Sequence, residues 1–210
     1  PGRRQALRGL AALAGSASQI DVLVIGSGPS AATLNTREVA KRQREGELVV
    51  IATNFYLGSA LAKTITPDYL VWADDIFDPK HRDDNSRSWE LLEDTPGVTV
   101  IAPWTWHASI AASHFAPRFI YFDNDTLETL SSNISPLRPR GYQGTSGAKA
   151  LAIALHLSPR QVFIIGLDHS TFQSFSVNED NRVLRQPKHL SGTDSGVADI
   201  TPHTINGLAD

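Results

Sequence analysis

Short apolar runs recur along the chain and are separated by polar loops. Each run is continuous and rich in Val and Ile, which is typical of strands buried on both faces of a parallel sheet. We predict strands at Val22–Ile25, Leu48–Ala52, Tyr69–Trp72, Val98–Ala102, Phe119–Phe122 and Val162–Gly166. We predict helices between several of these strands, at Ser30–Glu45, Trp89–Glu93, Thr105–Ala112 and Ser146–Leu157.

Strands that alternate with helices predict an α/β fold, here a Rossmann-like and mostly parallel sheet with helices on both faces. In such sheets ligands bind at the edge where the strands end. We therefore expect one rim to gather the residues that follow the strands, namely Ser27, Asn54, Asp74, Asn124, Asp168 and the region of Trp104.

Three segments of the chain differ in character. Residues 1–20 combine arginines with an apolar stripe, which predicts an amphipathic N-terminal helix that covers a sheet edge or touches a membrane surface. Residues 21–170 form the predicted nucleotide-binding α/β domain. Residues 171–210 are polar and without clear periodicity, as expected of a lid, a binding loop or a disordered segment.

The composition is that of an ordinary globular protein, with 41% apolar residues, 20% charged residues, a net charge of −3 and a pI near 6.2. This charge balance does not favour a nucleic-acid surface, and no apolar run reaches the roughly 18 residues of a membrane span. Cysteine is absent, which excludes disulfides, thiolate nucleophiles and Cys-ligated zinc. Methionine is absent as well, which indicates a fragment or a sequence from which modified methionines are missing.

The stretch VLVIGSGPSAATLN matches the turn G-x-G-x-x-G/A between a strand and a helix. Gly26 and Gly28 allow backbone amides to approach a phosphate closely, and Ser30 lies where a helix is expected to begin. A dinucleotide site also needs a carboxylate about 20 residues further on. The second strand ends at Asn54 without a carboxylate, which favours another nucleotide over NAD or FAD. A tight turn without a ligand is the alternative.

A second loop of this kind comes before the last predicted helix. In GYQGTSGAKALAIAL, Thr145, Ser146 and Gly147 open a strongly apolar helix, and the following strand stops at Gly166 and Asp168. Hydroxyls and amides at the positive end of a helix suit an anion. We expect both loops and the carboxylate to meet on the same rim, with helix capping as the alternative role of Asp168.

The motifs GSGPS, TNFYL and GTSGAKALAIAL…VFIIGLD resemble, in their order and spacing, the bacterial sialyltransferases and the related motility accessory factor glycosyltransferases. The resemblance covers roughly residues 21–168. It implies a Rossmann-like enzyme that moves a nonulosonic (sialic-type) acid from a CMP donor to a hydroxyl of a glycan or protein acceptor. It also implies that neither a metal nor a further cofactor is used. We expect a bacterial protein of the cytoplasm, with peripheral contact to the inner membrane and homo-oligomers both left open.

The resemblance also implies roles for individual residues. Ser27 stands near the donor phosphate, Gly166 and Asp168 stand beside the cytidine, and His189 in KHLSGTD matches the general-base histidine. No tyrosine follows Tyr142, whereas sialyltransferases use two lid tyrosines on the leaving phosphate, so the broader glycosyltransferase group is favoured. The predicted donor-nucleotide site comprises Gly26, Ser27, Gly28, Ser30, Asn54, Thr145, Ser146, Gly147, Gly166 and Asp168.

Other interpretations remain open. Archaeal pterin diphosphokinases share a similar GxGPS start, and a protein of that class would use ATP and hold Mg²⁺ on Asp74, Asp75 and Asp168. A solvated turn is the simpler interpretation of the first two. A non-catalytic domain of a larger glycosylation protein is a third possibility. The aromatic stretch PWTWH forms either an acceptor platform or a packed strand end.

Overall fold

Six strands form one parallel sheet. The structure, a computed structural model, describes residues 8–74, 77–81, 86–123, 146–167, 174–177 and 183–186. The strands are β1 (Asp21–Ile25), β2 (Leu48–Thr53), β3 (Tyr69–Val71), β4 (Thr99–Pro103), β5 (Phe119–Phe122) and β6 (Val162–Ile165). Their order is β5-β4-β3-β2-β1-β6, and every pairing is parallel. The predicted fold class is confirmed.

The sheet reverses its direction of growth beside β1. The chain adds β2 to β5 on one side of β1 and then returns to add β6 on the other side. Ile25, the last residue of β1, therefore pairs with Ala52 on β2 and with Ile165 on β6. In open α/β sheets the crevice at such a switch point is the usual place of a ligand.

Helices cover both faces of the sheet, as predicted. The helices are α1 (Arg8–Ala12), α2 (Thr36–Arg44), α3 (Ser86–Glu93), α4 (His107–Ile110) and α5 (Ser146–His156). Successive side chains of β1 point to opposite faces, so Val24 packs with α1 and α5 while Leu23 packs with the residues of α2, α3 and α4. No helix in the described ranges is long and apolar enough to cross a membrane.

The N-terminal segment lies over the edge strand β5, which is one of the two positions expected for it. Gly9 of α1 lies so close to Ile120 that an added Cβ would be 3.3 Å from its Cγ2 atom. Leu10 is buried in the same cluster. The predicted contact of this segment with a membrane stays a prediction.

The helix predicted at Ser30–Glu45 is wrong in its first turn. A 3₁₀ turn occupies Pro29–Thr33, and α2 begins only at Thr36. The Asn35 side chain accepts a hydrogen bond from the backbone N–H of Glu38 at 3.2 Å, and this cap fixes the later start. The first glycine loop therefore leads into a short 3₁₀ turn rather than to the N-terminus of an α-helix.

Two other predicted helices differ at their ends. The helix predicted at Trp89–Glu93 begins three residues earlier, at Ser86. The one predicted at Thr105–Ala112 is divided into a 3₁₀ turn, Trp104–Trp106, and the single-turn helix α4. Boundaries of this kind depend on caps and packing, which the apolar pattern does not encode.

The segment predicted as a lid contains a short hairpin. Strands β7 (Ser174–Val177) and β8 (Val183–Gln186) pair antiparallel, with Ser174 opposite Gln186. The backbone of β7 lies next to the Pro29–Thr33 turn. A described part of the lid segment thus approaches the first glycine loop.

Candidate functional site

The first glycine loop is bound to the end of β6 by two backbone–backbone hydrogen bonds and one backbone–side-chain hydrogen bond. The N–H of Gly26 donates to the carbonyl of Ile165 at 2.9 Å, and the N–H of Gly28 donates to the carbonyl of Gly166 at 2.7 Å. In return, the N–H of Gly166 donates to the Ser30 hydroxyl oxygen at 2.8 Å. Ser30 thus links the β1 loop to the end of β6.

Leu167 fills the space beside two of the predicted nucleotide-binding glycines. A Cβ added to Gly26 would lie 2.4 Å from Leu167 Cδ2, and a Cβ added to Gly147 would lie 2.5 Å from the same atom. The two glycine loops are far apart in sequence, yet both contact the side chain of Leu167. At Gly26 the fold itself excludes a side chain, because the Gly166 backbone also blocks a Cβ there, whereas at Gly147 only the Leu167 side chain is in the way.

The N-terminus of α5 also contacts the end of β3. Ser146 is buried, and its hydroxyl donates to Oδ1 of Asp74 at a long 3.4 Å. Asp74 itself is exposed. The carboxyl ends of β1, β3 and β6 are thus joined around the start of α5, as expected for a common rim.

The end of β2 has an unusual backbone conformation. Asn54 has a φ of +47°, a left-handed value that Asn tolerates better than most residues. Its carbonyl accepts a hydrogen bond from Nε1 of Trp72 at 3.1 Å, which holds the turn against β3. Its side-chain Oδ1 is buried, and no atom of the described structure donates to it.

A small cavity lies between the β1 loop and the turn after β2. Its volume is about 30 Å³, which is room for about one water molecule. The hydroxyl oxygen of Ser59, on its wall, is also buried without a partner among the described residues. The lining residues are Gly26, Ser27, Ala31, Thr53, Phe55, Tyr56, Ser59 and Leu61.

The aromatic stretch after β4 is partly packed. Trp106 is buried in the core, and the His107 ring meets the ring of Tyr121 edge-on at 5.0 Å. Burial raises the pKa of the Tyr121 hydroxyl to about 12. Trp104 is exposed over 36% of its surface, Thr105 is exposed as well, and His107 is half-buried, so packing accounts fully only for Trp106.

Several predicted site residues lie outside the described residues: Asp75, Asn124, Thr145, Asp168 and His189. Within the described ranges, no group of three or more His, Asp or Glu residues is arranged to hold a metal ion. His114, for example, lies 3.6 Å from Glu93 at the surface. The roles predicted for the undescribed residues stay predictions.

No protein-family model and no curated protein matches this chain. Among solved structures, the chain is similar to a MAf glycosyltransferase from Magnetospirillum magneticum AMB-1, with 15% sequence identity and a TM-score of 0.49. The match covers 98% of this chain and 34% of that protein, so the chain spans about a third of its length. A similarity of this size carries no information about the reaction, which has to be inferred from the site.

Sequence reasoning missed two residues of the rim, Phe55 and Ser59. Phe55 reads as one more apolar residue of a strand end, yet 48% of its surface is exposed. Ser59 reads as an ordinary turn residue, yet its hydroxyl oxygen is buried. Only the fold of the turn after β2, with 3₁₀ segments at Asn54–Gly58 and Ala60–Lys63, reveals the position of these side chains.

Proposed function

We propose that this protein is a glycosyltransferase domain that moves a nonulosonic (sialic-type) acid from a CMP donor to a glycan or protein hydroxyl, without a metal. One observation carries the proposal. Two of the three motifs that resemble the sialyltransferases and motility accessory factor glycosyltransferases, GSGPS and GTSGAKALAIAL…VFIIGLD, contact one another at the β1/β6 switch point. Gly26 and Gly166 touch across it, and Leu167 joins both to Gly147.

Under this proposal the donor phosphate lies between Ser27 and the N-terminus of α5. Transfer breaks the bond between the anomeric carbon and the phosphate oxygen, and negative charge builds on the departing CMP. The first N–H groups of α5 suit this charge, because they are oriented before the reaction begins. A phosphomonoester leaving group does not need a metal bridge between two phosphates.

The acceptor hydroxyl loses its proton as it attacks the anomeric carbon. In our proposal the imidazole of His189 takes this proton, since a histidine has a pKa close to the operating pH. The atoms then balance as a sugar bonded to the acceptor oxygen, free CMP and a protonated imidazole. The approach of β7 to the Pro29–Thr33 turn supports a lid segment that reaches the donor side of the rim.

Thermal unfolding with CMP, CDP, ATP with Mg²⁺, and NAD tests the proposal. A ligand that binds only the folded state increases the free energy of unfolding, by about 2.7 kcal/mol when its concentration is a hundred times its Kd. The melting temperature rises accordingly. We expect stabilisation by CMP in the presence of EDTA and none by NAD. Stabilisation by ATP that requires Mg²⁺, with no effect of CMP, would replace the proposal with the phosphotransferase alternative.

A further inference from the structure

The turn after β2 contains three features that are unfavourable for stability: one left-handed backbone conformation and two buried polar atoms without hydrogen-bond partners in the described structure. Asn54 holds a left-handed backbone conformation, and its Oδ1 and the Ser59 Oγ are buried without partners in the described structure. Buried polar atoms are nearly always hydrogen-bonded, and each one left unpaired reduces stability. Departures of this kind cluster at functional sites in proteins.

An exposed aromatic ring, that of Phe55, follows Asn54 in the chain and lines the same small cavity as Ser59. Phe55 is 48% exposed, but its ring is held from below by Phe77 at a centroid distance of 5.0 Å. Phe77 is fully buried and stacks on Trp72 at 4.9 Å, with only 9° between the ring planes. The exposed ring is therefore supported by the core, as a rigid platform for a ligand should be.

We propose that Phe55, Asn54 and Ser59 form a ring-binding subsite. A substrate ring stacks on Phe55, and an O–H or N–H group on the edge of that ring donates to Asn54 Oδ1 or Ser59 Oγ. The proposal rests on the proposed function, because it assumes that a nucleotide sugar lies on this rim. The ring belongs either to the donor nucleobase or to the transferred sugar, since both present a flat or apolar face and a donor group.

The size of the adjoining cavity limits how this ring is held. A space of about 30 Å³ accepts one small polar group and cannot enclose a ring. The ring therefore lies outside, over Phe55, while its donor group enters the recess beside Ser59. A buried acceptor that is unpaired until a ligand arrives discriminates strongly against ligands without the matching donor.

Two pairs of variants test the subsite by calorimetric titration of the whole chain. Phe55→Ala removes the platform, and Phe163→Ala is its control, because Phe163 is 43% exposed but lies within β6 away from this turn. Ser59→Ala removes the unpaired hydroxyl. Its control is Ser113→Ala, whose hydroxyl donates to the Ile110 carbonyl at 2.7 Å. The probes are CMP, ribose 5-phosphate and free N-acetylneuraminic acid.

If the donor base is the ring, Phe55→Ala weakens CMP binding by about tenfold and leaves ribose 5-phosphate unchanged. If the sugar is the ring, the same variant weakens N-acetylneuraminic acid instead. In either case Ser59→Ala weakens the same probe without lowering the melting temperature, whereas Ser113→Ala lowers the melting temperature and binds as the wild type does.

The result that overturns the subsite is distinct from the one that overturns the function. Equal binding of CMP and N-acetylneuraminic acid by the wild type, Phe55→Ala and Ser59→Ala overturns the subsite and leaves the proposed function standing. Failure of the wild type to bind any of the three probes overturns the proposed function and the subsite with it.

Discussion

Gly26 and Gly166 lie against each other at the carboxyl ends of β1 and β6, and each occupies the space that a side chain on the other would need. A Cβ on Gly26 would be 2.2 Å from the Gly166 carbonyl oxygen, and a Cβ on Gly166 would be 2.4 Å from that of Gly26. The neighbouring hydrogen bonds of Gly28 and Ser30 keep the two turns in this position. The glycine motif therefore serves the fold as well as any ligand.

Replacing either glycine by alanine should reduce the stability of the protein. Backbone carbonyls block the new methyl group in both variants, which costs about 1–3 kcal/mol for an overpacked site. Gly166→Ala should lose more, because Gly166 has a φ of +72° and the left-handed region adds roughly 1–2 kcal/mol for a residue with a Cβ. Urea unfolding measures both changes.

Two control glycines distinguish the steric clash of an added methyl group from the cost of the left-handed backbone conformation. Gly15 has a φ of +71° but no atom within 4 Å of an added Cβ, and Gly97 has open space and no positive φ. Gly15→Ala should lose only the conformational part, and Gly97→Ala should stay within about 0.5 kcal/mol of the wild type. Equal losses at Gly26 and Gly97 would contradict the close contact of the two strand ends.

A pair of Asn54 variants distinguishes the effect of the left-handed backbone conformation from the effect of the side-chain Oδ1. Asn54→Gly keeps the left-handed conformation at no steric cost and removes the unpaired Oδ1, so its melting temperature should not fall below that of Asn54→Ala. Both variants should bind CMP more weakly, by about 1–3 kcal/mol for a lost hydrogen bond to a charged or polar ligand. Unchanged CMP affinity in both, measured by calorimetry, removes Asn54 from the site.

Asp21 lies at the start of β1, at the edge of the sheet opposite to the rim. Its carboxylate should make the stability of the protein depend on pH. Its carboxylate accepts hydrogen bonds from Arg160 at 2.9 and 3.0 Å and from Arg42 at 2.5 Å, which lower its pKa from 3.8 to about 2. A pKa that is lower in the folded state adds stability above the unfolded pKa and loses it as the pH falls. The wild type should therefore lose stability between about pH 4 and pH 2 in urea titrations.

Asp21→Asn is the control for this titration. It should be less stable than the wild type near neutral pH by about 1–3 kcal/mol, the usual effect of losing hydrogen bonds to a charged group. The difference between the two proteins should shrink towards pH 2. A constant difference across this range would show that Asp21 does not titrate with a lowered pKa.

Arg118 holds the chain that follows α3. Its guanidinium donates to the carbonyls of Val98, Leu92 and Thr95 at 3.1, 2.6 and 2.5 Å. Arg118→Ala should lower the free energy of unfolding by about 2–4 kcal/mol, because three carbonyls lose a charged donor. Arg118→Lys should restore only part of it, since an ammonium lacks the planar fork of donors. Full rescue by lysine would contradict this role.

The proposal that His189 is the general base is tested by His189→Ala. Transfer should fall by about 10²–10⁴-fold, the usual span for the loss of a general base, while CMP affinity should be preserved. The wild-type rate should also decrease as the pH falls through the pKa of the imidazole. If His169→Ala loses activity while His189→Ala keeps it, the base belongs to the GLDHS turn instead.

The sequence by itself determined the parallel sheet. Continuous apolar runs such as VLVI and VVIA require burial on both faces, and only strands covered by helices on each side provide it. The same pattern located the carboxyl rim, because a polar residue follows most runs and parallel strands end at one edge. Gly26, Ser146 and Gly147 were predicted on this rim without knowledge of any contact.

Only the tertiary structure decided how the rim is built. The contact of Gly26 with Gly166 needs β6 to return beside β1, a pairing between residues about 140 positions apart that no local pattern encodes. The start of α2 depended on the Asn35 cap rather than on Pro29. The unpaired oxygens of Asn54 and Ser59 arise from a turn whose shape Trp72 and Phe77 support. Whether a polar atom is buried without a hydrogen-bond partner depends on how the chain packs, and the pattern of polar and apolar residues does not predict it.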